Sequence, residues 1–292
     1  MKLQKKEGNI FLSRDRGYNR IFVIDDYVPN IDKNAGNRCT FMYLILFKEI
    51  GLQVTFLPDN FEKIEPYTSI LQQKGIEVLY GVWYKKNIGN WLKTNLKYFN
   101  FVYLQRPNIA KKYFDLIKEH FPRKIFYFAH DLHYIRLFRQ YNITHDKKIL
   151  KQSEISKKTE MEIFSKVDVI HVVGNYEYQI LKGKFNKKII RNIPLYIYDK
   201  LLSNVEKDFS KRKDLIFVGM LSRYPNKDAV LWFAKYVYPK IVDRFQDIVW
   251  HIVGSCIPYN IKKLESKNIK IEGFLSDENL YLLYQKCRIA IT

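Results

Sequence analysis

Short apolar runs alternate with longer segments of helical periodicity from about residue 20 to the end of the chain. Continuous apolar runs predict strands buried on both faces, and their alternation with helices is typical of a parallel sheet built from β-α-β units. In the first half, strands are predicted over Ile21–Asp25, Gln53–Leu57, Ile76–Leu79, Phe101–Leu104, Lys124–Ala129, Val167–Val173 and Lys188–Arg191. Helices are predicted over Cys39–Ile50, Glu62–Lys74, Ile109–His120 and Asn175–Lys184, which gives a doubly wound α/β domain.

The pattern is interrupted at Asn192-Ile193-Pro194 and resumes after the polar stretch 203–213. Strands are then predicted over Leu215–Val218, Ile248–Val253, Ile269–Ile271 and Arg288–Ile291, with helices over Asp228–Arg244, Ile261–Ser266 and Glu278–Lys286. We therefore expect an N-terminal extension (1–19), a first domain (20–194), a linker (195–212) and a second domain (213–292). Because a doubly wound domain seldom ends after four strands, we expect the second domain to be incomplete in this chain.

The formal charge of +20 is spread over nearly every segment. Such a distribution favours a solvated basic surface, and peripheral contact with an anionic membrane is the alternative interpretation. No arginine-rich run or known nucleic-acid motif occurs, so nucleic acid is not an expected partner.

No apolar run reaches the roughly 18 residues of a membrane span, and the charged start does not resemble a secretory signal. We expect a cytoplasmic protein, with contact at the inner membrane face as an option.

The three cysteines, Cys39, Cys256 and Cys287, lie far apart and lack C-x-x-C spacing. This spacing argues against a zinc site and against a disulfide framework. We expect reduced thiols.

A cluster of titratable side chains follows the apolar run Phe126–Ala129, namely His130, Asp131, His133 and Arg136. In an open parallel sheet, ligands bind beyond the carboxyl ends of the strands, so this cluster is a candidate site. Three interpretations are open from the residues alone: local hydrogen bonding at a strand end, a metal site using the two histidines, or substrate binding. A metal site needs further ligands that the sequence does not locate.

Further motifs recur along the chain in a fixed order. They are Asp25-Asp26-Tyr27-Val28-Pro29, Asn34-Ala35-Gly36-Asn37-Arg38, His130-Asp131-Leu132-His133, Phe217-Val218-Gly219, Ile252-Val253-Gly254 and Glu272-Gly273-Phe274. Together they resemble the GT-B glycosyltransferases and, more narrowly, the retaining, nucleotide-sugar-dependent glycosyltransferase family 4. The resemblance implies two Rossmann-like domains facing a cleft, with no metal and no cofactor besides the nucleotide-sugar donor, of UDP or GDP type.

The resemblance also implies roles in the first domain. Gly36, in a loop expected just before a helix near Arg38, would lie under the donor pyrophosphate and beside the acceptor, a role that Arg38 would share. The alternative is a simple turn with a capping glycine. His130 or His133 would contact the donor sugar at the reacting centre, and Asp131 would orient a histidine or accept a proton. Arg136 would meet an anionic group of the acceptor, or the donor phosphate.

In the second domain, the donor phosphate would lie near Gly219. The family usually has an arginine next, where this chain has Met220, and a lysine near a position occupied here by Pro225 or Asn226. Arg223 and Lys227 are the nearby cations that could replace them, and solvated loop cations are the equal alternative. Gly254, Gly273 and Phe274 would lie near the nucleotide base.

The adjacent acidic residues Asp25 and Asp26 could suggest a cation site of the D-x-D kind. Successive strand residues point to opposite faces, so we do not expect them to share a metal.

The expected activity is transfer of a sugar to a saccharide or lipid-linked hydroxyl acceptor in polysaccharide or glycolipid synthesis. Family members continue beyond the last predicted strand with donor-binding elements, which leads us to expect a truncated chain. The alternative is a non-catalytic binding or scaffold remnant of such an enzyme.

Overall fold

The computed structural model describes residues 19–33, 35–195 and 208–291. It divides into two compact units, residues 1–198 and 199–292. The expected N-terminal extension lies almost wholly outside the described residues, as does the central part of the expected linker.

The first unit is built on a seven-stranded parallel sheet with the strand order β3-β2-β1-β4-β5-β6-β7. Its strands are β1 Arg20–Asp25, β2 Gln53–Pro58, β3 Glu77–Val78, β4 Phe101–Gln105, β5 Ile125–Ala129, β6 Val169–Val172 and β7 Ile189–Asn192. The order runs outward in both directions from β1 and β4, which pair directly, with Ile21 opposite Phe101. This pair is the topological switch point, where open parallel sheets bind ligands.

Seven α-helices connect these strands in the described part of the unit. They are α1 Ala35–Glu49, α2 Tyr67–Gln73, α3 Val82–Asn95, α4 Pro107–His120, α5 His133–Thr144, α6 Lys147–Lys166 and α7 Asn175–Lys184. The sequence pattern did not predict α3, α5 or α6. Helix α5 contains no fully buried residue, although Tyr134 and Ile135 pack against the core of the first unit.

The core of the first unit lies on both faces of its sheet. Phe22 and Ile24 pack into the cluster on one face, whereas Ile21 and Val23 pack into the cluster on the other. This alternation follows from the two-residue period of a strand. Fully burying one such side chain contributes about 1.5–3 kcal/mol, so the central strands anchor the positions of the loops at their ends.

The second unit contains a four-stranded parallel sheet with the order β10-β9-β8-β11. Its strands are β8 Asp214–Val218, β9 Trp250–Val253, β10 Ile269–Gly273 and β11 Cys287–Ile291, and its helices are α8 Tyr224–Tyr236, α9 Tyr238–Val242, α10 Tyr259–Lys262 and α11 Asp277–Lys286. The helix predicted over Asp228–Arg244 is two helices. Pro239 stands at the start of α9 and has no N–H to continue the α8 hydrogen-bond pattern, so the chain breaks at Val237.

All three cysteines are free, and burial raises the pKa of the Cys39 and Cys287 thiols to about 12.

Within the described residues, no helix is both long enough and apolar enough to cross a lipid bilayer.

Candidate functional site

Buried polar side chains meet at the carboxyl ends of β1, β4 and β5, the three central strands of the first sheet. Asp25 is the last residue of β1, Gln105 is the last residue of β4, and His130 directly follows β5. Thr40, from the second turn of α1, lies between them. The cluster therefore occupies the switch point of the sheet.

Asp25 and Arg106 form a buried ion pair. Asp25 is 2% exposed, and Arg106 Nε donates to Asp25 Oδ1 at 2.5 Å and also lies 3.3 Å from Asp26 Oδ2. Burial works to lower the pKa of Arg106, but Asp25 and then Asp26 outweigh it and raise that pKa above its ordinary value. The guanidinium therefore carries its charge at every physiological pH, and Asp25 is committed to it rather than to a metal.

The Arg106 backbone has a left-handed conformation, with φ of 67°. A non-glycine residue in such a conformation typically costs about 1–3 kcal/mol. Arg106 is also the N-cap of α4, and Pro107 begins that helix with its fixed φ. The strained turn directs the guanidinium back to the end of β1 instead of continuing the strand.

His130 is linked to this ion pair through the Gln105 amide and the Thr40 hydroxyl. His130 Nε2 lies 2.8 Å from the Gln105 side-chain amide, and Thr40 Oγ1 lies 3.1 Å from the same amide and 2.8 Å from Asp25 Oδ2. Burial lowers the pKa of His130 to about 4, so its imidazole is neutral at pH 7. The ring packs against Phe128, with centroids 4.3 Å apart, and it keeps partial exposure to solvent.

His133 belongs to a different group. Its Nε2 lies 2.9 Å from Asp131 Oδ1, and Arg136 Nε donates to Asp131 Oδ2 at 2.7 Å. Burial works to raise the pKa of Asp131, but the hydrogen bonds from His133 and Arg136 hold it well below its ordinary value. Asp131 is therefore a permanent anion at neutral pH and keeps a proton on His133 Nε2.

Glu160 fixes the helix that carries His133. This fully buried carboxylate, from α6, accepts hydrogen bonds from the His133 N–H at 3.0 Å and the Tyr134 N–H at 2.9 Å. It replaces the side-chain cap that Leu132 cannot provide at the start of α5. The helix start, and with it the Asp131–His133 pair, is positioned by a residue 27 positions further along the chain.

Gly36 and Arg38 lie within the first turn of α1, because that helix begins at Ala35. The expectation of a glycine loop before a helix starting near Arg38 was wrong in this respect. Asn37, between them, is buried. The pair therefore lies at the amino end of a 15-residue helix, where backbone N–H groups attract anions.

In the second unit, Gly219, Gly254 and Gly273 come together at the carboxyl ends of β8, β9 and β10. Gly219 N–H donates to Val253 O at 3.0 Å, and Gly254 N–H donates to Gly273 O at 2.8 Å. Gly254 has a φ of 156°, and a Cβ there would lie 1.8 Å from the Gly219 carbonyl oxygen. Only glycine fits at position 254. The Asn226 and Phe217 side chains lie against Gly219, whereas nothing lies within 4 Å of a Cβ at Gly273. Phe274, which follows, is exposed.

Arg223 and Lys227 lie at the amino end of α8. Arg223 is its N-cap and Lys227 falls in its first turn, because the helix begins at Tyr224, four residues before the predicted start. Met220 accepts a hydrogen bond from Asn226 Nδ2 through its carbonyl oxygen at 3.0 Å. The two cations and the helix amino end thus share one segment just beyond β8.

The sequence matches no known protein-family model and no curated protein. Solved structures do match. The crystal structure of TarM aligns over 93% of this chain and 79% of that chain, with a TM-score of 0.62 and 10% identity. The lipopolysaccharide outer core galactosyltransferase WaaB aligns over 93% and 73%, with a TM-score of 0.52 and 13% identity. Glycyrrhiza uralensis UGT73P12, solved with glycyrrhetinic acid 3-O-monoglucuronide, aligns over 94% and 72%, with a TM-score of 0.55 and 8% identity.

The chain has a GT-B fold. At these identities the likeness concerns the fold alone. The expected fold class is confirmed, with two α/β units that each contain a parallel sheet.

The GT-B fold brings together residues that the sequence did not single out. Thr40, Gln105, Arg106 and Glu160 were missed, and Asp25 was named only within a motif and as a possible metal ligand. Gln105-Arg106 directly follows an apolar strand, which is the same signal that marked His130. Among the described residues, no group of three or more His, Cys, Asp or Glu side chains is arranged to hold a metal ion.

Proposed function

We propose that this chain is a glycosyltransferase that moves a sugar from a nucleotide-sugar donor to a hydroxyl acceptor, with retention of configuration as in family 4. A fold does not determine a function, so the proposal rests on the site. The observation that carries it is the neutral, partly exposed His130 held by buried polar side chains at the switch point of the first sheet. A neutral imidazole can hydrogen-bond sugar hydroxyls without introducing a charge that would have to be neutralised.

In this proposal the second unit binds the donor. The three glycines bring the carboxyl ends of β8, β9 and β10 together, and the open backbone at Gly273 lets a flat base or a phosphate approach closely, with the exposed Phe274 next to it. The nucleotide is of UDP or GDP type. Arg223 and Lys227 stabilise the negative charge that the diphosphate gains as it leaves, which is where transferases of this kind need positive charge.

The first unit binds the acceptor and the sugar being transferred. The amino end of α1, with Gly36 and Arg38, attracts the donor pyrophosphate. His133 with Asp131 forms a fixed donor–anion pair beside the reacting centre, and Arg136 meets an anionic group of a saccharide or lipid-linked acceptor. Catalysis then relies on positioning and on leaving-group stabilisation, with the acceptor attacking from the face that the nucleotide leaves.

Calorimetric titration with UDP, GDP and their sugar conjugates tests donor binding directly. We expect dissociation constants in the micromolar range for one nucleotide class, with weaker binding for a Lys227→Ala variant. Substitutions in the first unit, His130→Ala and His133→Ala, should abolish transfer while leaving nucleotide affinity unchanged. Nucleotide binding without transfer to any acceptor would favour a non-catalytic binding protein, and an absence of nucleotide binding would refute the proposal.

Peripheral contact with an anionic membrane at the cytoplasmic face is part of the same proposal. Helix α5 exposes Phe138 (47%) and Ile143 (63%), together with Arg139. Helix α6, which packs beside it, adds lysines at positions 147, 148, 151, 157 and 158. Apolar side chains flanked by cations are the pattern that binds anionic lipid surfaces.

Vesicle sedimentation tests this contact. The protein should sediment with phosphatidylglycerol-containing vesicles but not with pure phosphatidylcholine, and added salt should release it. The double variant Phe138→Ser/Ile143→Ser should lose binding, whereas Ile50→Ser, which removes an equally exposed side chain elsewhere, should retain it. Equal binding by both variants would exclude α5 as the contact.

A further inference from the structure

Gln105 connects the ion pair to His130 through one end of its side-chain amide. The residue is fully buried, and the atom placed as Oε1 in the structure lies 2.8 Å from His130 Nε2 and 3.1 Å from Thr40 Oγ1. The other terminal atom is buried and meets no hydrogen-bond partner among the described residues. An amide has two N–H donors on one end and an acceptor oxygen on the other, so its orientation decides which atoms here carry protons.

The Thr40 hydroxyl decides that orientation, because it has a single proton. Its oxygen lies 2.8 Å from Asp25 Oδ2 and 3.1 Å from the amide. The carboxylate is the closer and the charged acceptor, so it takes the proton. The amide atom that faces Thr40 must then be a donor, so the NH2 group belongs at this end and the placed oxygen and nitrogen exchange positions.

The opposite orientation is costly on two counts. The oxygens of Asp25, Thr40 and Gln105 would lie in a row with only the Thr40 proton between them, so one oxygen–oxygen contact would have no hydrogen bond. Both N–H groups of Gln105 would also be buried without an acceptor. With the NH2 group toward Thr40 and His130, each N–H has an acceptor, and one carbonyl oxygen is left unpaired. A hydrogen bond from Gln105 to His130 Nε2 then requires a lone pair on that nitrogen.

We infer that Gln105 is a positioning residue that holds His130 in the neutral Nδ1–H tautomer. Its mechanistic consequence rests on the proposed function: His130 offers substrate a single hydrogen-bond donor, Nδ1–H, and its Nε2 lone pair is occupied, so it does not serve as the general base. His133 differs, because its Nε2 carries a proton that it donates to Asp131 at 2.9 Å. The two histidines of one loop thus have different protonation patterns.

Nuclear magnetic resonance of the full chain, labelled with ¹³C and ¹⁵N at histidine, tests the inference without any substrate. The imidazole Cδ2 and nitrogen shifts distinguish the two neutral tautomers, and the His130→Asn and His133→Asn variants assign the signals. We expect His130 to carry its proton on Nδ1 alone, and His133 to carry a proton on Nε2. An Nε2–H tautomer for His130 in the wild-type chain overturns the inference, and this measurement needs no variant of Gln105.

Two variants then test the role of Gln105 itself. In Gln105→Glu, a carboxylate accepts from His130, so His130 should change to Nε2–H and remain protonated to higher pH. In Gln105→Leu, the constraint is lost and His130 should adopt the Nε2–H form that free imidazole prefers. The His133 signals should not move in either variant, which reports that the loop is still folded. An unchanged His130 signal in both folded variants would also overturn the inference.

Kinetics distinguish this inference from the proposed function. If the chain transfers sugar, Gln105→Leu should lower kcat about fivefold, the equivalent of one net hydrogen bond, with little change in donor KM. Gln105→Glu should also give kcat a new pH dependence, which a merely structural role would not produce. The expected tautomers in a chain without transferase activity would refute the proposed function and leave the tautomer assignment standing.

Discussion

The Asp25–Arg106 pair makes a quantitative prediction about stability. Replacing Arg106 with glutamine removes the only full positive charge that contacts Asp25 among the described residues, and Asp25 is 2% exposed. Breaking a buried pair by removing one partner typically costs about 3–5 kcal/mol, because the remaining charge has lost both water and its counter-ion. Asp25 keeps hydrogen bonds from Thr40 and from the Asp26 N–H, each at 2.8 Å, so we expect the lower end, about 3 kcal/mol.

The assay has to report the first unit alone, because the chain divides into two compact units and a single global transition cannot be assumed. Hydrogen exchange of peptides covering β1 and β4 gives the free energy of opening at the strands that carry the pair. The matched control is Lys166→Gln, which removes a cation paired with Glu162 at 2.9 Å on the surface of α6 and should cost less than about 1 kcal/mol.

A second substitution identifies the cause. Adding Asp25→Asn to Arg106→Gln removes the stranded charge, so the double variant should recover more than half of the lost stability. The reasoning is refuted if Arg106→Gln costs no more than the surface control, or if the double variant is as unstable as the single one.

Three further predictions follow from the same structure. Burial lowers the pKa values of His130 and His171 from 6.5 to about 4, so between these pH values the unfolded chain binds protons that the folded chain does not. Urea titrations should therefore show the free energy of unfolding falling as the pH drops from about 6.5 to 4, by up to about 3 kcal/mol for each histidine. The His171→Asn variant should remove about half of that loss. Arg106→Gly should be more stable than Arg106→Ala by about 1 kcal/mol in the same exchange assay, because both lose the guanidinium and only glycine adopts a φ of 67° without strain; equal stability would show that the backbone is not strained. Gly254→Ala should unfold the carboxyl end of the second sheet and abolish nucleotide binding, because its Cβ would lie 1.8 Å from the backbone of Gly219. Gly273→Ala, with a φ of 71° and nothing within 4 Å of its Cβ, should lower the free energy of unfolding by only about 1–2 kcal/mol. Calorimetry of both variants checks this, and similar losses of stability in the two would contradict it.

The strands could be predicted from the sequence and several helices could not, for one physical reason. A strand in the middle of a parallel sheet is apolar on both faces, so β1, β4 and β5 stand out as continuous runs. Helices α5 and α6 pack largely on each other, and α5 buries no residue completely. Their apolar residues are spaced along helices and partly exposed, so they do not form the continuous apolar runs that marked the strands.

The candidate site was predictable only where its residues are neighbours in sequence. His130, Asp131 and His133 follow one strand and were found from that position. Gln105 belongs with them because β4 lies between β1 and β5 in the sheet, and this order depends on tertiary pairing. Thr40 could not be found, because its role depends on the angle at which α1 packs against the sheet.

The Asp25–Arg106 pair also constrains the order in which this sequence can change over generations. A lineage that loses Arg106 first passes through a state with a buried, unpaired carboxylate. A lineage that first changes Asp25 to asparagine keeps a guanidinium that is 20% exposed and still lies 3.3 Å from Asp26. Related chains that lack the arginine should therefore also lack the aspartate, while chains with asparagine and arginine together should mark the path between the two forms.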